Sequence, residues 1–124
     1  MTDKRILIVD DEPAIVELLS EILSTAGYQI DSADCADAAV ELVRENIYDA
    51  AILDFNLPDM NGVMLHRQIR QMDEELAGNT LFISGLIQSD GNLDYFHAFG
   101  RGFLPKPFKP QDVLASLQNL WSNI

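Results

Sequence analysis

Asp10 and Asp11 follow the apolar run Ile6-Leu7-Ile8-Val9, Asp54 follows Ala50-Ala51-Ile52-Leu53, Ser84 follows Leu81-Phe82-Ile83, and Lys106 stands shortly after Phe103-Leu104. Each of these side chains can handle a phosphoryl group: a carboxylate as nucleophile or metal ligand, a hydroxyl as hydrogen-bond donor, an ammonium as counter-charge. Apolar runs of this kind read as buried parallel strands, and ligands in open α/β sheets sit beyond the carboxyl ends of the strands. The pattern therefore predicts that the chemistry converges at one edge of a sheet.

Carboxylates at Asp10, Asp11 and Asp54 brought together there would repel one another by roughly 4 kcal/mol per pair at about 4 Å and an effective dielectric near 20. A hard cation relieves this. Mg²⁺ takes one or two carboxylates in an octahedral set of oxygens, keeps several waters and accepts phosphate oxygens. Asp11 and Asp54 are the expected carboxylate ligands, with Asp10 acting directly or through water. Taken singly, the Asp10-Asp11 pair can instead cap a helix, Asp54 can start a turn, and Lys106 can be a solvated surface lysine. Three aspartates at two strand ends with a lysine beyond a third are harder to explain that way.

These residues need elements to hold them. Strand-like runs alternate with helix-period segments from end to end, which argues for α/β layering on a parallel sheet with five strands and five helices. A first helix opens at Pro13 and carries Ile15, Leu18, Leu19, Ile22, Leu23 and Ala26, with Gly27 as a left-handed stop. A second strand lies near 29–33, and a helix around 36–46 turns Ala39, Val40, Val43 and Ile47 toward a core. The third strand, 49–53, leads into the turn-rich Phe55-Asn56-Leu57-Pro58-Asp59-Met60-Asn61-Gly62 and a helix bearing Leu65, Ile69 and Met72. A fourth strand covers about 80–84, and a short aromatic helix runs from Leu93 to Phe99. Phe103-Leu104-Pro105 contains a proline and so belongs at a sheet edge. The last helix places Val113, Leu114, Leu117, Leu120, Trp121 and Ile124 on one stripe.

The 124 residues, 48% hydrophobic and 23% charged, fit one soluble domain, expected to fill residues 1–124. Eight basic against twenty acidic side chains give a formal charge of −12, which repels DNA and anionic lipid. Neither direct nucleic-acid binding nor a membrane partner is expected. Cys35 is the single cysteine and reads as a buried spectator, so no disulfide is expected. The apolar run after Arg5 is too short for a signal-peptide core, and a cytoplasmic location is expected. His66 and His97 have no partner histidine at helical spacing and read as surface or half-buried residues. No Walker-type phosphate loop is present, so ATP binding is not expected.

Together, Ile6 to Glu12, Ile52 to Gly62, Phe82-Ile83-Ser84-Gly85 and Phe103-Leu104-Pro105-Lys106-Pro107-Phe108 resemble the receiver domain of two-component response regulators, over essentially the whole chain. The resemblance implies a doubly wound, flavodoxin-like five-stranded parallel sheet in the order 2-1-3-4-5 with helices on both faces. It implies that Asp54 accepts a phosphoryl group from a sensor histidine kinase or a phosphotransfer protein. It also implies that Asp10, Asp11, Asp54 and the backbone carbonyl of Asn56 hold Mg²⁺. Lys106 matches the lysine that pairs with the acceptor and then with a phosphoryl oxygen, and a cis peptide is implied at Lys106-Pro107. Ser84 and Phe103 match the switch hydroxyl and the switch aromatic, whose rearrangement signals to an output partner or domain. The last helix lacks the basic residues of dimerising transcriptional members, so a monomer or weak dimer is expected.

Pro105 before Lys106 and Gly85 after Ser84 depart from the commoner family pattern, and neither removes a reacting atom. Leu86 places an apolar side chain where the family varies its control of dephosphorylation. A receiver is a signalling phosphoacceptor rather than a turnover enzyme. One alternative is a phosphorylation-independent scaffold of the same fold. Another is a haloacid-dehalogenase-like phosphohydrolase, which is disfavoured because Asn56 stands where that class needs an aspartate and because the acid pair precedes the nucleophile.

Overall fold

The computed structural model describes residues 4–84, 102–106 and 108–122. Its elements are β1 (Arg5–Val9), α1 (Pro13–Thr25), β2 (Gln29–Ala33), α2 (Ala36–Glu45), β3 (Ala50–Asp54), α3 (Gly62–Met72), α4 (Glu74–Gly78), β4 (Thr80–Ser84), β5 (Gly102–Pro105) and α5 (Pro110–Ser122). The strands form one parallel sheet in the order β2-β1-β3-β4-β5, a doubly wound arrangement with β1 and β3 side by side at the switch point. In register, Val9 faces Leu53, and Asp54 faces Ile83.

Side-chain alternation divides the core into two layers, one on each face of the sheet. Leu7, Val9, Ala51, Leu53 and Phe82 face the layer completed by α2, α3 and α4. Ile6, Ile8, Ala50, Ile52, Leu81, Ile83 and Leu104 face the layer completed by α1 and α5. All five residues of β3 are buried, as a central strand of a parallel sheet requires. The edge strand β2 has the mixed sequence Gln-Ile-Asp-Ser-Ala, and only Ala33 of it is buried. β5 forms the other edge, where Pro105 is tolerated.

The helices follow their signals. Pro13 occupies the first turn of α1, and Gly27 takes φ 98° after its end. On α5, Val113, Leu117 and Leu120 are buried while Leu114 and Trp121 are half-buried, and Trp121 Nε1 donates to Tyr28 Oη at 2.9 Å.

Several expectations change. Ile47 does not enter the core but is 82% exposed, because α2 ends at Glu45, Asn46 turns extended (φ −136°), and Tyr48 enters the core instead. Cys35 is half-buried at the N-cap of α2 rather than fully buried. His66, expected near the surface, is completely buried on the inner face of α3, where Nε2 lies 2.8 Å from the Ala77 carbonyl and its ring meets Phe82 at 5.1 Å. α4 was not anticipated. Asp73 caps it by accepting the Leu76 amide at 3.0 Å, and Glu74 and Glu75 occupy its first turn. The aromatic helix expected over 93–99, together with Gly85, Leu86, His97, Pro107 and Ile124, lies outside the described residues.

Candidate functional site

The carboxyl ends of β1 and β3 meet the turn after β5, and this junction collects the charged residues. Asp10 is fully buried, and its backbone amide donates to Ala33 O at 3.1 Å, extending the β1–β2 ladder. Its Oδ1 accepts the Glu12 amide at 2.9 Å, supporting the entry to α1, where Glu12 itself supplies no side-chain cap. Asp54, the last residue of β3, is 3% exposed, and its Oδ1 accepts the Asn56 amide at 3.3 Å.

Lys106 serves three carboxylates. Its Nζ lies 2.8 Å from Glu12 Oε1, 3.1 Å from Asp10 Oδ2 and 3.6 Å from Asp54 Oδ2. The bond to Glu12 is well directed. Toward Asp10 the ammonium supplies proximity without hydrogen-bond alignment, so the buried Oδ2 lacks a directed partner. Burial opposes the ammonium, but Glu12, Asp10 and Asp54 outweigh it and hold Lys106 above its ordinary pKa. Burial and then the Asp10 carboxylate push Asp54 from the ordinary 3.8 up to about 6, against the Asn56 amide and Lys106, which pull it down.

Carboxylate oxygens of Asp10, Glu12 and Asp54 lie within 4.8 Å of one another. An all-oxygen set containing one buried oxygen without a directed hydrogen bond suits a hard divalent cation. Asp11, expected among the ligands, is instead exposed and stands outside this cluster, lining a groove with Asp10, Pro13, Val16 and Asp34. Glu12, which is not among the expected ligands, takes a place in the cluster. Its signal was the acidic run Asp10-Asp11-Glu12, in which any member can turn inward.

The loop after Asp54 is shaped by close backbone packing. Asn56 and Asn61 form an isolated bridge, the Gly62 amide donates to Phe55 O at 2.7 Å, and Asn61 caps α3 by accepting the Met64 amide at 2.9 Å. A Cβ on Gly62 would lie 2.8 Å from the Asp54 carbonyl oxygen and 2.9 Å from Phe55 Cα. Only glycine lets α3 start so close to the strand that carries Asp54. Ser84 ends β4, beside β3, and is paired with Pro105. Phe103 lies in β5, paired with Phe82.

A doubly wound sheet with charged residues gathered at its switch point is the flavodoxin-like arrangement. Within it, residues 6–118 match the response regulator receiver domain, and the chain belongs to that family, a signalling domain of two-component systems. Response regulator MprA of Mycobacterium sp. is 32% identical over 116 residues, spanning 94% of this chain and 50% of MprA. The chemotaxis response regulator CheY4 of Vibrio cholerae superposes with a TM-score of 0.84 at 28% identity, covering 96% of this chain and 99% of that one. The receiver domain of sensor histidine kinase PA1611 from Pseudomonas aeruginosa, solved with a magnesium ion coordinated in its active site cleft, shares the fold. Its TM-score is 0.86 at 23% identity, with 98% of this chain and 99% of that one covered. The chain spans about half the length of the curated relatives it matches.

Proposed function

We propose that this receiver domain accepts a phosphoryl group on Asp54 from the phosphohistidine of a sensor histidine kinase or phosphotransfer protein, and passes the change to an output partner or domain. The observation that carries this reading is the placement of Asp54. It is a nearly fully buried carboxylate at the carboxyl end of the central strand, with the Asp10 carboxylate as neighbour and the Lys106 ammonium at 3.6 Å. With a pKa of about 6, Asp54 is mostly ionised at neutral pH and available as a nucleophile.

In the transfer, an Asp54 oxygen bonds to phosphorus as the phosphorus–nitrogen bond breaks, and the departing imidazole keeps the electron pair. Mg²⁺, when bound, supplies charge neutralisation for the phosphoryl oxygens. Asp10 and Asp54, with the Asn56 carbonyl, are the residues we assign to holding it, and Asp11 would join them by turning inward from its exposed position. The magnesium ion in the PA1611 receiver supports that assignment by analogy of fold. Lys106 exchanges a carboxylate for a phosphoryl oxygen, a change of partner suited to a flexible ammonium with three donors. To Ser84 we assign the hydrogen bond to the new phosphoryl group, and to Phe103 the inward movement that follows. Ser84 fits this role because it ends the strand adjacent to the one that Asp54 ends. A cytoplasmic place of action goes with this reading; no helix among the described residues is long and apolar enough to cross a membrane.

Incubation with acetyl phosphate and Mg²⁺ tests the proposal. One hydroxylamine-sensitive adduct per chain, lost in Asp54→Asn and on chelation of the metal, is the expected result. Sustained phosphate-ester turnover would point to a hydrolase, and absence of any adduct to a scaffold.

A further inference from the structure

Asp59 lies in the loop of residues 55–61 between β3 and α3, yet both of its carboxylate oxygens leave that loop. Oδ1 accepts the Ala36 amide at 2.9 Å and Oδ2 accepts the Asp37 amide at 3.0 Å. These amides open α2, whose own N-cap residue, Cys35, makes no side-chain cap bond. The first amides of a helix have no acceptor inside it, and the residue just before them ordinarily provides one. Here the acceptor comes from a distant part of the chain, so one carboxylate both caps α2 and pins the loop.

Asp59 itself is exposed, but the Ala36 end of the tether is set in the core, and the loop is consequential. Ala36 is fully buried in the same apolar layer as Leu53 and Phe55, and Leu57 and Met60 on either side of Asp59 pack against that layer. The pinned loop carries Asn56, whose amide binds Asp54 Oδ1, and closes at Gly62, whose amide binds Phe55 O. The Ala36 amide, followed by the Asp37 amide, holds the Asp59 carboxyl below its ordinary pKa, which keeps it ionised where Asp54 would react.

We infer that Asp59 is a positioning residue for the phosphoacceptor, tying the loop that begins at Asp54 to the first turn of α2 through both carboxylate oxygens. This rests on the reading of Asp54 as the phosphoacceptor. A small displacement of a reacting group is enough to slow a transfer step, so the tether has a kinetic signature distinct from the stability of α2.

The test compares the whole chain with Asp59→Ala and with the double variant Cys35→Ser/Asp59→Ala. In the double variant a serine at the extended N-cap position (φ −154°, ψ 166°) restores a local cap without restoring the tether. Asp59→Ala is expected to form the adduct from acetyl phosphate and Mg²⁺ roughly tenfold more slowly and to speed amide exchange at Asn56 and Gly62. The double variant is expected to recover the Tm while leaving both the slow rate and the fast exchange in place. An unchanged rate in Asp59→Ala, or a rate recovered along with the Tm, would overturn the inference. If the wild type forms no adduct, the phosphoacceptor reading fails by itself. Exchange at Asn56 and Gly62 then decides the tether: faster exchange in both variants upholds it, and unchanged exchange removes it.

Discussion

The ammonium of Lys106 lies 2.8 Å from Glu12 Oε1 but 3.6 Å from Asp54 Oδ2, so it sits closer to the rim of the pocket than to the buried carboxylate at its floor. Glu12 is 58% exposed, and an ion pair with so wet a partner contributes about 0–1 kcal/mol. The arrangement is therefore easy to rearrange, which the proposed exchange of partners by Lys106 requires. Glu12→Gln should alter stability by less than about 1 kcal/mol while letting Lys106 settle between Asp10 and Asp54. The apparent pKa of Asp54, followed by carboxyl NMR without divalent ions, should then fall from its value of about 6. An unmoved titration would show that Glu12 does not compete for the lysine.

Asp54 also ties stability to pH. Its folded pKa is raised from 3.8 to about 6, so the folded state holds its proton more tightly than the unfolded chain does. That contribution is fully present below about pH 4 and is lost as pH rises through about 6. At neutral pH the ionised carboxylate is a net cost. Asp54→Asn should accordingly exceed the wild type in stability at pH 7.5 by on the order of 2 kcal/mol, with the gain shrinking toward zero near pH 4. Millimolar Mg²⁺ should narrow the gap, since it stabilises only a folded state that binds it. Urea denaturation at several pH values measures this, and a less stable Asn variant at pH 7.5 without metal would contradict it.

The parts of the fold that could be read from the chain are those where one physical signal dominated. Buried parallel strands announced themselves as apolar runs, and Pro13 and Gly27 marked the two ends of α1. The edge position of β5 followed from Pro105, whereas that of β2 came only with the strand order that the family resemblance implies. Ile47 misled because helical spacing continues past the point where Asn46 leaves the helix. α4 was hidden because five residues are too few for a periodic stripe, although Asp73-Glu74-Glu75 is a cap followed by an acidic first turn. At the site, residue types located the pocket but not which acid of Asp10-Asp11-Glu12 points inward. That is settled by tertiary packing around Lys106. The bond from Asp59 to α2 had no sequence signal, since a cap supplied from across the fold obeys no local spacing.

Gly62 gives a direct test of how tightly the loop is packed under Asp54. A methyl group there would meet the Asp54 carbonyl oxygen at 2.8 Å and Phe55 Cα at 2.9 Å, both backbone atoms that cannot rotate away. Gly62→Ala should cost about 1–3 kcal/mol through forced displacement, even though alanine is the better helix former. Adduct formation on the proposed acceptor should slow as well, because the displaced atoms include the backbone of Asp54 itself. A variant with wild-type stability by chemical denaturation would mean that α3 can slide outward without strain.

His66 supplies a second pH dependence, opposite in sign to that of Asp54. Burial holds its pKa below the ordinary 6.5, against the Ala77 carbonyl, which favours the protonated ring. The unfolded chain therefore binds a proton near pH 6 that the folded one refuses, and stability is present above pH 6.5 and lost as pH falls. His66→Leu removes this effect but leaves the Ala77 carbonyl without its imidazole partner, which costs about 1–3 kcal/mol. The variant should thus be less stable than the wild type at pH 7.5. The deficit should shrink on lowering the pH to 5, because only the wild type must expel a proton to fold. Comparing the two proteins at each pH cancels the Asp54 contribution common to both. A deficit that stayed constant between pH 7.5 and 5 would mean that the buried imidazole takes up its proton without leaving the core.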